Sequence, residues 1–207
     1  MFYLYGDTMK NLVFDFGGVL VDWNPHRLFD GYFGSREKAD WFLENICTQQ
    51  WNSQSDAGKP IREVVAELSA LHPEYAREIE IYYSRWIEMM GGEIEGMYGL
   101  LQEYKAAGHH LYGLTNWSAE TFCQVRDIYP IFKLLDGMVV SGEEHCIKPD
   151  PRIFRILFDR YGLRPADCIF IDDLQPNIDG ALAVGMDAIL FTGARTLRPR
   201  LDALLGR

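Results

Sequence analysis

Six residues whose side chains suit catalysis follow short apolar runs of this sequence. They are carboxylates, neutral hydrogen-bonding groups and a lysine: Asp15, Thr115, Asn116, Lys148, Asp172 and Asp173. These types favour phosphoryl transfer, because a carboxylate can attack phosphorus and form an acyl phosphate that water then hydrolyses. One difficult displacement is thereby divided into two easier ones.

Four of these residues are predicted to act on the phosphate group. We assign the attack on phosphorus to Asp15, and the binding of nonbridging phosphate oxygens to Thr115 and Asn116. Lys148, in the segment HCIKPDP, supplies a positive charge that offsets both the nucleophile and the transferred group. The sequence therefore predicts Asp15, Lys148 and Thr115 as catalytic residues and Asn116 as a substrate-binding residue.

The three carboxylates also make a candidate metal site. Asp172 and Asp173 add hard oxygen ligands to that of Asp15, and Mg²⁺ prefers such ligands. A divalent cation would let an anionic nucleophile approach an anionic phosphate, because it stabilises the charge on the phosphate oxygens. Mg²⁺ is the cofactor that the sequence predicts.

The apolar runs themselves predict the strands of a parallel sheet. They alternate with helix-length segments and are bounded by Gly, Pro, Asn or Asp: NLVFDF (11–16), HHLYGLT (109–115), GMVVS (137–141), CIFID (168–172) and AILF (188–191). Such alternation is typical of an α/β fold with helices around the sheet. Since ligands bind outside the carboxyl ends of parallel strands, we expect the six residues to meet at one edge.

The region between about residues 24 and 90 has a different pattern. It contains no convincing strand and several amphipathic stretches, among them SREKADWFLENIC and PIREVVAELSAL. We interpret it as an all-helical insertion over 24–90, with a core formed by 1–23 and 91–207 and a hinge at Gly91-Gly92. The alternative is that these helices belong to one continuous core.

Four segments together resemble the haloacid dehalogenase superfamily of hydrolases. They are DFGGVL (15–20), LTNWS (114–118), IKPDPRIF (147–154) and FIDDLQPNIDGALAVGM (170–186), which match that family's four motifs in order. The resemblance implies a Rossmann-like, three-layer core with a helical cap of the C1 type inserted after the first strand. It also implies Mg²⁺-dependent phosphatase activity through an aspartyl phosphate. The first motif looks most like that of the branch of sugar-1-phosphate phosphatases with DFGGV or DLGNV.

The resemblance also assigns roles around the first motif. Asp15 would be the nucleophile and first metal ligand, and the Gly17 carbonyl would be a second ligand. Asp173, rather than Asp172, would bind the metal directly, with Asp172 beside it. Phe16 and Gly17 are further predicted substrate-binding residues.

Gly17 is a departure from the family's pattern. Most phosphatases of the superfamily have a second Asp two residues after the nucleophile, which protonates the leaving oxygen and then activates water. Loss of a general acid costs a factor of roughly 100 to 10,000 in rate. Two explanations stay open: a substrate with a good leaving group, such as an anomeric hydroxyl, or a replacement acid, with Asp22 and His26 as candidates.

Two tryptophans lie next to the candidate motifs. Trp23 is in the loop beyond the nucleophile, and Trp117 follows Asn116. Either ring could pack on the face of a sugar, so both are predicted to bind substrate. Most of the remaining aromatic residues of the helical insertion are expected to form its core.

Two other function classes share part of this pattern. The superfamily's dehalogenases lack the second Asp too, but they use no metal and have little reason to place two carboxylates beside the nucleophile. A regulatory protein that binds phosphate and metal with little turnover is the alternative from a different class. A small phosphorylated metabolite is the predicted partner of a monomer or homodimer.

The composition of the chain indicates which classes of partner to exclude and which cellular compartment to expect. The chain has 207 residues and a formal net charge of -10, which argues against a nucleic-acid groove or an anionic membrane surface. Four scattered cysteines favour reduced thiols and a cytoplasmic location. The opening MFYLYGDTMK does not have the pattern of an export signal, and translation could also begin at Met9. No apolar run has the roughly 20 residues of a membrane-spanning helix.

Overall fold

The computed structural model describes residues 9–206. The prediction that no export signal is present falls mainly on residues 1–8, which lie outside the described residues. Among the residues that are described, no helix has both the length and the apolar character needed to cross a membrane.

Seven strands and eleven α-helices are found within residues 9–206. The strands are β1 (Asn11–Phe14), β2 (Val21–Trp23), β3 (Met90–Glu93), β4 (His110–Thr115), β5 (Gly137–Val140), β6 (Cys168–Asp172) and β7 (Asp187–Leu190). The helices are α1 (His26–Phe33), α2 (Arg36–Asn45), α3 (Gln49–Asp56), α4 (Ile61–Leu71), α5 (Ala76–Ser84), α6 (Met97–Ala106), α7 (Ala119–Val125), α8 (Ser141–Glu144), α9 (Pro151–Tyr161), α10 (Gln175–Ala183) and α11 (Ala194–Leu205). Short 3₁₀ helices cover Pro73–Tyr75, Trp86–Met89, Pro130–Leu134 and Pro165–Asp167.

Five of the strands form one parallel sheet in the order β5-β4-β1-β6-β7. The first strand of the chain lies at its centre, so the residue after β1 is flanked by the ends of β4 and β6. Phe14 pairs with Gly113 on one side and with Ile171 on the other. Asp15 is therefore level with Asp172, one residue further along each strand.

Helices cover both faces of the sheet, which makes the core three layers thick. The strands are apolar on both sides because both sides are buried, as is usual for parallel sheets. On one face, Leu12 and Ile169 pack in a cluster with Leu101 of α6 and Leu201 of α11. On the other face, residues of α9 and α10 pack against Val13, Leu114 and Phe170. This architecture confirms the predicted α/β, Rossmann-like fold.

The predicted helical insertion contains α1–α5 and begins and ends on a small ribbon. Strands β2 and β3 pair antiparallel, with Val21 opposite Glu93, Asp22 opposite Gly92 and a register shift before Trp23. The sequence did not indicate β3, because the run MGGE has two glycines, which have a low preference for strands. The ribbon includes residue 90, the last residue of the predicted insertion.

Candidate active site

Asp15 leaves the centre of the sheet and is fixed there by backbone and side-chain contacts. Its N–H donates to the carbonyl of Ile171 at 2.9 Å, which continues the pairing of β1 with β6. Its Oδ1 accepts from the N–H of Phe16 at 2.7 Å and lies 2.8 Å from Nζ of Lys148. No described residue makes a hydrogen bond to Oδ2, so this oxygen is available to a ligand.

Lys148 joins the carboxylates at the strand ends. Its Nζ lies 2.8 Å from Asp15 Oδ1 and donates to Asp172 Oδ2 at 2.7 Å and to the carbonyl of Leu114 at 2.9 Å. The ammonium is fully buried and lies 5.3 Å from the ring centroid of Phe170. Burial alone would lower the pKa of Lys148, but the two carboxylates raise it above its ordinary value. Lys148 is therefore charged at neutral pH.

Asp172 has both carboxylate oxygens occupied by donors. Oδ1 accepts from the N–H of Leu174 at 2.8 Å, and both oxygens lie 3.1 Å from the amide nitrogen of Asn177. Lys148 takes a further position on Oδ2. A carboxylate this fully bound, with no exposed surface, is suited to positioning Lys148.

Asp173 lies beside the loop that follows Asp15. Unlike Asp172, it is exposed to solvent. A Cβ atom on Gly18 would lie 2.5 Å from its Oδ2, and Gly18 has a φ of +76°. Only glycine allows both this backbone conformation and this close approach. Within the pair Gly17-Gly18, only Gly18 has a positive φ.

The oxygens of Asp15, Asp172 and Asp173 fit a divalent cation. Each residue offers a carboxylate oxygen, and the three atoms lie within 4.8 Å of one another. Burial raises the pKa of Asp15 to about 7, an effect that Lys148 opposes and the neighbouring carboxylates strengthen. Burial and Asp172 likewise raise the pKa of Asp173. Three carboxylates near one lysine leave an excess of negative charge when all are ionised, and the all-oxygen donor set suits Mg²⁺.

Replacing Gly18 with Ala should weaken Mg²⁺ binding by at least about tenfold, because Asp173 must move away from the new methyl group. Gly34→Ala is the matched control. Gly34 also has a positive φ, of 62°, but its Cβ would meet no atom within 4 Å. That variant should lose about 1 kcal/mol of stability and keep its metal affinity. The Mg²⁺ dependence of the melting temperature measures both, and equal affinities in the two variants would contradict the prediction.

The two polar residues that follow β4 differ in position. Asn116 lines the cavity described below, and its Oδ1 accepts from the N–H of Lys148 at 2.7 Å. Its Nδ2 donates to the Lys148 carbonyl at 3.1 Å, which leaves the second amide hydrogen for a ligand. Thr115 is buried and does not line the cavity. The loops carrying Asn116 and Lys148 are thus held together by one amide side chain.

A cavity of about 480 Å³ lies between the ends of the strands and the helical insertion. The predicted site residues that line it are Asp15, Gly17, Trp23, Asn116, Trp117, Lys148 and Asp173. Phe16 is not among them, because its side chain is fully buried against Phe122 and Phe132. Asp172 is buried beneath the cavity and contacts Lys148. The structure therefore brings most of the predicted residues to this cavity, whereas Phe16 and Thr115 are buried and do not line it.

The far side of the cavity is formed by residues that the sequence analysis did not single out. They come mainly from α3 and α5 and from the segments beside them: Leu43, Cys47, Gln49, Asn52, Ser53, Ser55, Asp56, Tyr82, Tyr83 and Trp86. The available signal was the polar sequence of α3, QQWNSQSD, within an otherwise amphipathic region. A polar helix alone is usually a solvated one, so this signal did not identify a site.

The two predicted replacement acids, Asp22 and His26, contact charged side chains of other residues. Asp22 forms an ion pair with Arg27 and is not a cavity-lining residue. His26 does line the cavity, but its Nδ1 lies 2.9 Å from Asp30 Oδ1 and its Nε2 lies 3.5 Å from Asp40 Oδ1. Both ring nitrogens therefore face carboxylates of the helical insertion.

Comparisons with known proteins agree with this geometry. The chain is 28% identical over 200 residues to the sesquiterpene phosphatase astK of Aspergillus oryzae, covering 96% of this chain and 98% of that protein. It is 33% identical over 79 residues to N-acylneuraminate-9-phosphatase of Rattus norvegicus, 38% of this chain and 32% of that protein. A magnesium complex of a haloacid dehalogenase family enzyme from Bacteroides thetaiotaomicron superposes with a TM-score of 0.70 at 20% identity, over 90% of this chain and 95% of that one.

The family model for haloacid dehalogenase-like hydrolases matches residues 9–185. This range includes three of the four segments on which the resemblance was based and all but the last residue of the fourth. The predicted family and the predicted class of enzyme, a hydrolase, are thereby confirmed. The chain belongs to the haloacid dehalogenase-like hydrolase family.

Proposed function

We propose that this protein is a phosphoric monoester hydrolase that transfers the phosphoryl group of a small substrate to Asp15 and then to water. The observation that carries the proposal is a group of three carboxylates beside a cavity, two of which contact one buried lysine. The full-length similarity to a phosphatase supports it. A dehalogenase would have no use for the charge of Asp173.

The contacts of Asp15 and Lys148 define what each residue does. Oδ2 of Asp15 attacks phosphorus, so that a bond from this oxygen to phosphorus forms as the bond to the substrate oxygen breaks. Lys148 holds Oδ1 at 2.8 Å, which orients the nucleophile and offsets the charge of the arriving phosphate. Water then cleaves the acyl phosphate, releasing phosphate and restoring the Asp15 carboxylate.

The metal site belongs to the same proposal. Asp15, Asp173 and the Gly17 carbonyl would hold Mg²⁺ directly, and Asp172 would act from behind through Lys148. When bound, the cation would supply stabilisation of the negative charge on the phosphate oxygens. Asn116 contributes a neutral donor to the phosphate, in addition to holding the Lys148 loop.

The cavity lining favours a sugar phosphate as substrate. The side chains of α3 offer neutral hydrogen-bonding groups, and Trp23 and Trp117 offer ring faces. Sites with this combination bind polyhydroxylated molecules through hydrogen bonds and apolar ring contacts. Lys148 and His26 are the basic side chains among the described lining residues, and both already face carboxylates. A second phosphate on the substrate would therefore have no partner.

A sesquiterpenyl phosphate is the second candidate substrate. It is favoured by the full-length similarity to astK and by the apolar part of the lining, which includes Leu43 and Trp86. Such a substrate would use the ring faces of the cavity and leave the polar groups of α3 without partners, at a cost for each group that is buried.

A phosphate-release assay over a substrate panel tests the proposal. The panel contains sugar monophosphates, sugar bisphosphates and a sesquiterpenyl monophosphate, each assayed with Mg²⁺ and with EDTA. We expect Mg²⁺-dependent turnover, with kcat/KM for a sugar monophosphate at least about tenfold above that for the matching bisphosphate. Preference for the sesquiterpenyl ester would select the second candidate.

Two other outcomes would reject the proposal. Metal-independent release of halide from a 2-haloacid would identify a dehalogenase. Tight binding of phosphate and Mg²⁺ without turnover of any ester would identify a regulatory protein.

The proposed location is the cytoplasm, which fits the four free cysteines of the structure.

A further inference from the structure

Gly17 stands where most phosphatases of the family have the second Asp, and the space beside it is empty of protein atoms. A Cβ atom built on Gly17 would meet no atom within 4 Å, so no neighbouring side chain has filled the place of the second Asp. Gly17 lines the cavity beside Asp15. The proton that the leaving oxygen needs must therefore come from across the cavity, from the substrate itself or from solvent.

Most titratable side chains that line the cavity have other partners or keep their protons. Asp15, Lys148 and Asp173 belong to the nucleophile and metal group, and His26 has both ring nitrogens beside carboxylates. Burial raises the pKa of Tyr82, Tyr83 and Cys47 well above their ordinary values, so these groups keep their protons through the reaction. Among the described lining residues, this leaves Asp56.

Asp56 is the last residue of α3, and the core fixes its position. The Ser141 hydroxyl, at the end of β5, donates to the Asp56 carbonyl at 2.5 Å, and the same Oγ accepts from the N–H of Trp117 at 2.9 Å. The Asp56 carboxylate accepts a hydrogen bond from the backbone N–H of Ser118. These contacts tie a residue of the helical insertion to the loop that carries Asn116.

The carboxyl group of Asp56 is also oriented from within the helical insertion. Nδ2 of Asn52 donates to Asp56 Oδ2 at 3.1 Å, and Oδ1 of Asn52 accepts from the Tyr83 hydroxyl at 3.0 Å. The Tyr83 hydroxyl is in turn 2.8 Å from Oγ of Ser55. All of these partners are neutral, and no cation forms an ion pair with Asp56 among the described residues.

This environment favours a carboxyl that can both give and take a proton. Burial raises the pKa of Asp56 to about 7, and the Ser118 N–H opposes that rise only in part. A group whose pKa is near the working pH is the most effective general acid and base. Asp22 and His26, the replacement acids predicted from the sequence, instead face charged partners: Asp22 pairs with Arg27, and both ring nitrogens of His26 lie beside carboxylates.

We propose that Asp56 is the acid and base of this enzyme, replacing from α3 the Asp that is absent at position 17. The inference rests on the proposed phosphatase function. As Asp15 attacks, protonated Asp56 gives its proton to the substrate oxygen that leaves phosphorus. The resulting carboxylate then takes a proton from the water that attacks the acyl phosphate, which returns Asp56 to its protonated form and releases phosphate.

The Asp56→Asn variant tests this role through its dependence on the leaving group. With a sugar or alkyl phosphate, kcat should fall by roughly 100 to 10,000-fold, because the leaving alkoxide needs a proton. With p-nitrophenyl phosphate, whose leaving group needs none, the first turnover should stay fast and only the hydrolysis of the acyl phosphate should slow. A rapid burst of one p-nitrophenolate per enzyme, followed by slow turnover, is the expected signature.

Asp22→Asn is the matched control, because Asp22 lies outside the cavity and pairs with Arg27. It should keep the wild-type rate on both substrates. A second variant adds Asp at the open position: Gly17→Asp in the Asp56→Asn background should recover at least about tenfold in kcat. A combined variant no faster than Asp56→Asn would contradict the assignment.

Several other results would overturn the proposal. An equal loss of rate on both substrates without a burst, or a rise in KM alone, would make Asp56 a structural or binding residue. An unchanged rate would exclude it from the reaction. If the wild-type enzyme hydrolyses neither ester, the proposed phosphatase function fails first and this inference fails with it, whereas a failure confined to Asp56→Asn leaves that function intact.

Discussion

An Asp15→Asn variant should release no measurable phosphate, with kcat reduced on the order of 10⁴-fold or more. The amide oxygen is a poor nucleophile, and the variant cannot form the acyl phosphate. The fold should persist, because the substitution keeps the volume of the side chain and removes a carboxylate whose pKa is already raised to about 7 by burial. Phosphate release and thermal melting with and without Mg²⁺ measure the two effects.

Asp179→Asn is a suitable control for this experiment. Asp179 is an exposed carboxylate of α10 whose contact is with Gln175, so its loss should leave the rate unchanged. Trapping of labelled phosphate on the wild-type chain, and its absence from the Asp15→Asn chain, would identify the attacking residue. Turnover of Asp15→Asn at more than a hundredth of the wild-type rate would reject Asp15 as the nucleophile.

Loss of the lysine should have the largest effect on stability. In Lys148→Met, the carboxylates of Asp15 and Asp172 lose the cation that lies within 2.8 Å of each of them. Removing one partner of a buried charge pair typically costs about 3 to 5 kcal/mol, because the remaining charge has no compensation. We expect a loss of that size in urea unfolding at pH 7 in the presence of EDTA, together with loss of phosphate release.

Two further variants separate charge from packing at Lys148. Adding Asp172→Asn to Lys148→Met removes one uncompensated carboxylate, so part of the lost stability should return while activity stays absent. Lys148→Arg should not restore activity, because the wider guanidinium must fit a fully buried position whose three acceptors lie around a compact ammonium. An unfolding free energy of Lys148→Met equal to that of the wild type would contradict the proposed charge balance.

Much of the core side of the site followed from sequence alone. Asp15, Asn116 and Asp172 could be placed at one edge because residues that end parallel strands meet there. The register of β1 with β6 then makes Asp15 and Asp172 direct neighbours. This inference needs only the strand boundaries, which the apolar runs show clearly.

The helical side of the site could not be predicted in the same way. Asp56 is one of several polar residues on α3, and its sequence neighbourhood resembles that of a solvated helix. Its place in the cavity depends on Ser141 and Ser118, which follow different strands of the core. Contacts between such distant segments have no local sequence pattern. Phe16 shows the converse, since it was predicted to bind substrate and its ring packs in the core.

The β2-β3 ribbon has a consequence for how this enzyme can diversify. The chain leaves the core at Val21–Trp23 and returns at Met90–Glu93, on two paired strands. The segment between these two strands therefore begins and ends at adjacent positions. It can be replaced without changing the strand connections of the central sheet. Evolution, or an engineer building chimaeras, can graft a different helical module onto this two-stranded stem. Such a graft would replace the far side of the cavity while Asp15 and Lys148 stay in place.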